Sequence, residues 1–204
     1  MNLIIILFLI NQYINNYISQ VNISNIHAIY TFVISILYLT NYNIIVLNYL
    51  KLLYFSCFYS IYDIVYLYNT KIKGYISLIV HHLLIVYVVN YANIYLNSDE
   101  KIVELIAINY LTEISTPFVN RSFQLVENKK ENTLEFKITN TLVLTIFGIF
   151  RVFTIPYLLY QCYNYSYNVV ICQTLLSSMN LVWFYKMCKY YKKTIMNNNE
   201  KKIS

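Results

Sequence analysis

The residues of this chain that can do chemistry are few. His81 and His82 stand side by side in an apolar run, Ile76–Val89. An imidazole gains and loses its proton near neutral pH, so it can take a proton from an attacking amine or hydroxyl. A neighbouring carboxylate would fix its tautomer and stabilise the imidazolium, and Asp63 and Glu113 are available for that. Arg151 is suited to a phosphate or a carboxylate. Asn180 and His27 are further polar groups in apolar surroundings, read as substrate-binding candidates alongside Arg151. Such groups are expensive at membrane depth and usually face a bundle interior or a water-filled site. The structural alternative is that they pair only to hold helices together.

The elements that must position them are membrane helices. With 58% hydrophobic and 12% charged residues in 204, the chain has too little polar surface to cover a soluble globule. Only 2 Gly and 2 Pro interrupt it, which favours uninterrupted helices over a barrel. Runs of about 20 apolar residues predict an all-α bundle of six transmembrane helices. The spans lie near 24–41, 47–68, 74–96, 102–119, 138–162 and 167–190, with the first boundary at Thr40-Asn41-Tyr42-Asn43. Residues 1–19 form an apolar N-terminal segment that reads as an extra span, an uncleaved start signal or an interfacial stretch. Residues 20–193 form one transmembrane domain and 194–204 the tail, which from Met196 to Ser204 is polar and expected to lack regular structure.

Loop charge orients the bundle. Lys71, Lys73, Arg121, Lys129, Lys130, Lys137 and the lysines from Lys186 onward fall on one side, against Lys51 and Lys101 on the other. The positive-inside rule makes the first side, and the C-terminus with it, cytoplasmic. Counting along the helices at about 1.5 Å per residue, His27, Asp63, His81, Glu113 and Asn180 share a layer roughly 5–15 Å below the cytoplasmic face, with Arg151 deeper. Helical spacing of three, four and seven gives His81 polar company in Ser77, and Asp63 in Ser56 and Ser60. His82 has Leu78, Ile79, Ile85 and Val86 as neighbours. His81 is therefore expected to point inward and His82 to flank it.

In order along the chain stand Ile26-His27-Ala28, Tyr62-Asp63, His81-His82, Glu113-Ile114-Ser115-Thr116-Pro117-Phe118-Val119-Asn120-Arg121, Arg151, and Asn180-Leu181-Val182-Trp183-Phe184-Tyr185-Lys186-Met187. This order resembles the TLC-domain family, which includes ceramide synthases and the translocating-chain-associated membrane protein, and within it the small TLC-domain-only branch. The resemblance spans about residues 20 to 193. It implies a six-helix membrane domain that handles or senses lipid and influences membrane lipid composition. It also implies two other readings: an acyltransferase that uses acyl-CoA as co-substrate, and a cargo or translocation accessory. Ceramide synthases follow their double-His helix with a His-Asp segment. Here the next helix carries Glu104, Asn109 and Glu113, with no His and no Asp, which counts against a simple ceramide synthase.

No metal is expected, since adjacent histidines on one helix rarely chelate one ion and no H-x-x-x-H or E-x-x-H spacing occurs. The sequence pI near 9.0 comes from loops and the tail, so topology explains it and no nucleic acid is expected. The expected partners are membrane lipids and, at most, a second copy of the chain in a homo-oligomer. Cys162 and Cys172 flank the last hairpin, where a disulfide is permitted, although free thiols are favoured. The end, Lys201-Lys202-Ile203-Ser204, resembles the dilysine retrieval signal of the endoplasmic reticulum.

Overall fold

The computed structural model of the chain describes residues 20–40, 42–71, 74–95, 100–163 and 165–203; the apolar segment 1–19 lies outside them. The described residues are helical, with no strand among them. The helices are α1 Gln20–Thr40, α2 Tyr42–Thr70, α3 Tyr75–Tyr95, α4 Glu100–Leu111, α5 Thr116–Glu127, α6 Leu134–Phe147, α7 Ile155–Cys162 and α8 Tyr167–Ile203. Three described stretches are long and apolar enough to cross a bilayer: Gln20–Thr40 (21 residues), Lys101–Glu127 (27) and Leu134–Cys162 (29). They coincide with three of the six spans expected from sequence. α3 is apolar over the shorter stretch Tyr75–Tyr91.

The polar tail differs from expectation. α8 does not stop near 190 but continues to Ile203. Once a helix exists, each added residue gains a hydrogen bond without a new nucleation cost, and Lys, Met and Glu are good formers in that setting.

Both prolines sit just inside a helix start, Pro117 in α5 and Pro156 in α7. A proline has no N–H to give the carbonyl four residues earlier, and its ring crowds that carbonyl. The chain answers with an irregular turn each time. Ahead of Pro117 it tightens into the 3₁₀ turn Thr112–Ser115. Ahead of Pro156 it widens into the π turn Gly148–Val152, closed by Phe153 N–H on the Gly148 carbonyl at 2.9 Å. These turns carry Glu113, Ser115 and Arg151, and π turns inside helices occur often at functional sites.

The chain forms two compact units, Met1–Glu113 and Ile114–Ser204. In the first, α2 packs along α3, and α1 packs against α2 and α4. Its fully buried side chains include Tyr38, Val89, Ile102 and Val103. In the second, α5 and α6 form a hairpin, and α8 packs against α6, the π turn and α7.

The α5–α6 hairpin is fixed at both helix ends. Lys130 N–H donates to the Leu125 carbonyl at 2.8 Å and Lys129 N–H to that of Val126 at 2.9 Å, which is a Schellman stop. Thr133 caps α6, its Oγ1 accepting from Phe136 N–H at 3.2 Å. Arg121 clasps Glu135 across the hairpin, and Ser122 Oγ donates to Asn140 Oδ1 at 3.0 Å. The Schellman stop requires a left-handed residue, and Lys129 takes that place at φ 55°. A side chain there costs about 1 kcal/mol relative to glycine. Lys129→Gly is therefore expected to raise unfolding free energy by about that amount, read as a higher midpoint in thermal unfolding of the detergent-solubilised protein.

Candidate functional site

In the first unit the histidine helix and the carboxylate helix meet at one point. His82 Nε2 lies 2.7 Å from Asp63 Oδ2, and both residues are buried. The Gln20 side-chain amide donates to the other carboxylate oxygen, Oδ1. With Nε2 facing Asp63, Nε2 carries the proton, and a neutral His82 then holds its lone pair on Nδ1. That Nδ1 is buried and has no hydrogen-bond partner among the described residues. Gln20 Oε1 and Ser60 Oγ are in the same condition, and Ser60 lies one helical turn from Asp63 on the same face. A carboxylate with a hydrogen-bonded imidazole thus has beside it buried polar atoms that lack a partner among the described residues.

A second layer of polar groups continues from the pair. Tyr59 meets the His82 ring edge-on at 5.9 Å and stacks on His27 with centroids 3.8 Å apart and planes 14° apart. His27 Nε2 shares a hydrogen bond of 2.7 Å with Ser56 Oγ. Thr31 is drawn into its own helix, donating to the His27 carbonyl at 2.9 Å. Glu113, the last residue of this unit, lies near enough for its charge to act on both His27 and Tyr59. Of the residues singled out from sequence, His27, Asp63, His82 and Glu113 therefore gather in this unit.

One expectation is reversed here. His82, not His81, faces Asp63; His81 sits beside it, half-buried, its ring 5.5 Å from that of His82. Adjacent residues diverge by about 100° on a helix, so only one of the two can take that place. The polar neighbour that favoured His81, Ser77, turns its hydroxyl proton to its own helix, donating to the Gly74 carbonyl at 2.9 Å. The apolar neighbours of His82 mark a packed face, with Val89 two turns along it only 1% exposed. In a membrane bundle the lipid-facing and helix-facing sides are equally apolar, so hydrophobic company does not separate them.

The second unit organises its own buried cation. Arg151, 6% exposed on the π turn, donates from Nε to Ser115 Oγ at 2.9 Å, from Nη2 to Thr116 Oγ1 at 3.1 Å and from Nη1 to Asn180 Oδ1 at 3.4 Å. The Phe147 ring lies under the guanidinium at 5.0 Å and stacks in turn on Phe184 at 6.1 Å. Arg151 and Asn180, both named from sequence, thus belong to one cluster. Ser115 joins them because the turn before Pro117 aims its hydroxyl at the cation. Cys162 and Cys172 are both buried free thiols.

Sequence reasoning missed Gln20, Tyr59 and Ser115. Gln20 stands at the start of a helix, where an amide reads as an interfacial residue, and Tyr59 is one of 24 tyrosines in a chain rich in them. The family model for the TLC domain, grouping TRAM, LAG1 and CLN8, matches residues 17–189. The chain belongs to the TLC-domain family. No curated protein and no solved structure matches it. The matched part of this TLC-domain protein includes His27, Asp63, His81, His82, Glu113, Arg151 and Asn180. It is a membrane protein, with apolar helices long enough to span.

Proposed function

We propose that this TLC-domain protein crosses its membrane six times and handles or senses a lipid headgroup at the Asp63–His82 pair, thereby influencing membrane lipid composition. The observation that carries this reading is the His82 geometry: Nε2 on Asp63 at 2.7 Å and a buried Nδ1 left to accept a proton. Nδ1 and Gln20 Oε1 are acceptors, so they suit a headgroup that offers O–H or N–H donors. Asp63 holds the tautomer and would stabilise a charged imidazole. Within the same unit, His27 is the further polar group proposed to position the lipid; Arg151 and Asn180 are proposed as a separate substrate-binding cluster in the second unit. Lipid profiles of membranes with and without the protein test this directly. A shift confined to lipids with a hydroxyl- or amine-bearing headgroup supports it, and identical profiles oppose it.

A second reading, acyl transfer from acyl-CoA to such a headgroup, is favoured by the same Nδ1 atom. A base with a carboxylate behind it can accept the proton of an attacking hydroxyl or amine. Purified protein given acyl-CoA and candidate acceptor lipids should release free CoA in that case, and it should release none if the protein only binds lipid.

We further place the C-terminus in the cytosol and the protein in the endoplasmic reticulum, on the basis of the loop lysines and the dilysine-like end. A tag placed after Ser204 should be cleavable from outside sealed microsomes and should co-fractionate with that compartment. A protected tag would reverse the orientation.

A further inference from the structure

We propose that one face of α8 binds the anionic phospholipid headgroups of the leaflet at its basic end. Lys186, Lys189 and Lys193 follow one another at spacings of three and four, with Lys192 beside them, and all four are exposed. The same face runs directly out of an apolar stripe. Leu181, Val182 and Tyr185 are exposed at 48%, 50% and 66%. Val182 lies one helical turn before Lys186, and Tyr185 one turn before Lys189, on shared faces. An apolar surface open to the outside of the unit passes within a single turn into a row of ammonium groups, which is how a helix meets the boundary between acyl chains and headgroups.

The other side of the helix is occupied. Phe184 stacks on Phe147, and Tyr191 shares a hydrogen bond of 2.9 Å with Thr141, both on the α6 side. The lysine face is therefore the one turned away from the packing within its unit. Its charge is not cancelled nearby. Among the described side chains of this unit, the acidic residues are Glu127, Glu131 and Glu135, against the four lysines and Arg121, Lys129, Lys130 and Lys137. Glu135 is already taken by Arg121. Clusters of this size beside a span attract anionic headgroups, and the continuity with the apolar stripe identifies the membrane that holds α8 as their source.

The chain contains a single tryptophan, Trp183, one turn before Lys186, so it reports on the lipid next to this face. The full protein would be reconstituted in phosphatidylcholine vesicles, and quenching of Trp183 compared between brominated phosphatidylserine and brominated phosphatidylcholine. Preferential quenching by the anionic lipid, about fivefold in relative affinity and falling as salt is raised, is expected. Equal quenching by the two lipids in the unmodified protein overturns the proposal, with no variant needed. Replacing Lys186, Lys189, Lys192 and Lys193 with Gln should remove the preference, and replacing all four with Arg should keep it. A preference that survives the Gln substitutions places the anionic lipid elsewhere and also overturns the proposal.

Discussion

His82→Ala is expected to lower the unfolding free energy by about 3 kcal/mol, the cost of taking a hydrogen-bond donor away from a buried carboxylate. Asp63 would be left buried with the Gln20 amide as its remaining named partner. Asp63→Ala should cost less, because a neutral imidazole left without its acceptor is less costly to bury than a carboxylate left without its donor. Replacing both residues with Leu should recover much of the loss, since well-packed apolar pairs often match a buried ion pair. The check is a double-mutant cycle of detergent-driven unfolding in mixed micelles, followed by circular dichroism. Additive effects from the two sites would mean that the pair is not coupled.

Arg151→Met should also be strongly destabilising. It leaves Ser115 Oγ, Thr116 Oγ1 and Asn180 Oδ1 without the donor that now serves all three. Losing the bond to buried Ser115 costs on the order of 1–3 kcal/mol, and those to half-buried Thr116 and Asn180 less. A total loss of about 3 kcal/mol is expected. Arg151→Lys should recover only part of it, because an ammonium cannot span three oxygens with a planar fork and lies less well on the Phe147 face. Thermal unfolding of the three proteins side by side gives the order Arg, Lys, Met. A lysine variant as stable as the parent would show that charge alone, and not the fork, holds the cluster.

Hydropathy located the helices well because the signal is long and summed over many residues. The spans near 24–41, 102–119 and 138–162 each overlap one of the three long apolar stretches, and the boundary at Thr40-Asn41-Tyr42-Asn43 matches the end of α1 and start of α2. The interruptions were less legible. Pro117 and Pro156 mark where a helix is disturbed, but whether the chain tightens to a 3₁₀ turn or widens to a π turn is decided by what packs around it. Within the site, sequence picked out Asp63 and the histidine pair because an ionisable residue in an apolar run is rare and costly. It favoured His81 as the inward residue, since facing was inferred from polar neighbours, whereas His82 is the one that meets Asp63 and Ser77 donates to its own backbone. Gln20 reaches Asp63 through tertiary packing, and Ser115 reaches Arg151 in the other unit through a proline-induced turn; no local spacing encodes either.

The proton-accepting role of His82 is tested most directly by His82→Gln. The Gln side-chain amide can still donate to Asp63, so the pairing that stabilises the unit is kept in kind, but no nitrogen remains that can take a proton at neutral pH. Lipid profile and protein abundance are measured together in cells that carry only this variant. The expected result is a profile matching that of cells without the protein, at an abundance equal to the parent's, while His81→Gln leaves the parental profile in place. A parental profile from His82→Gln at normal abundance would contradict a proton-accepting role and reduce the Asp63–His82 pair to a helix tie.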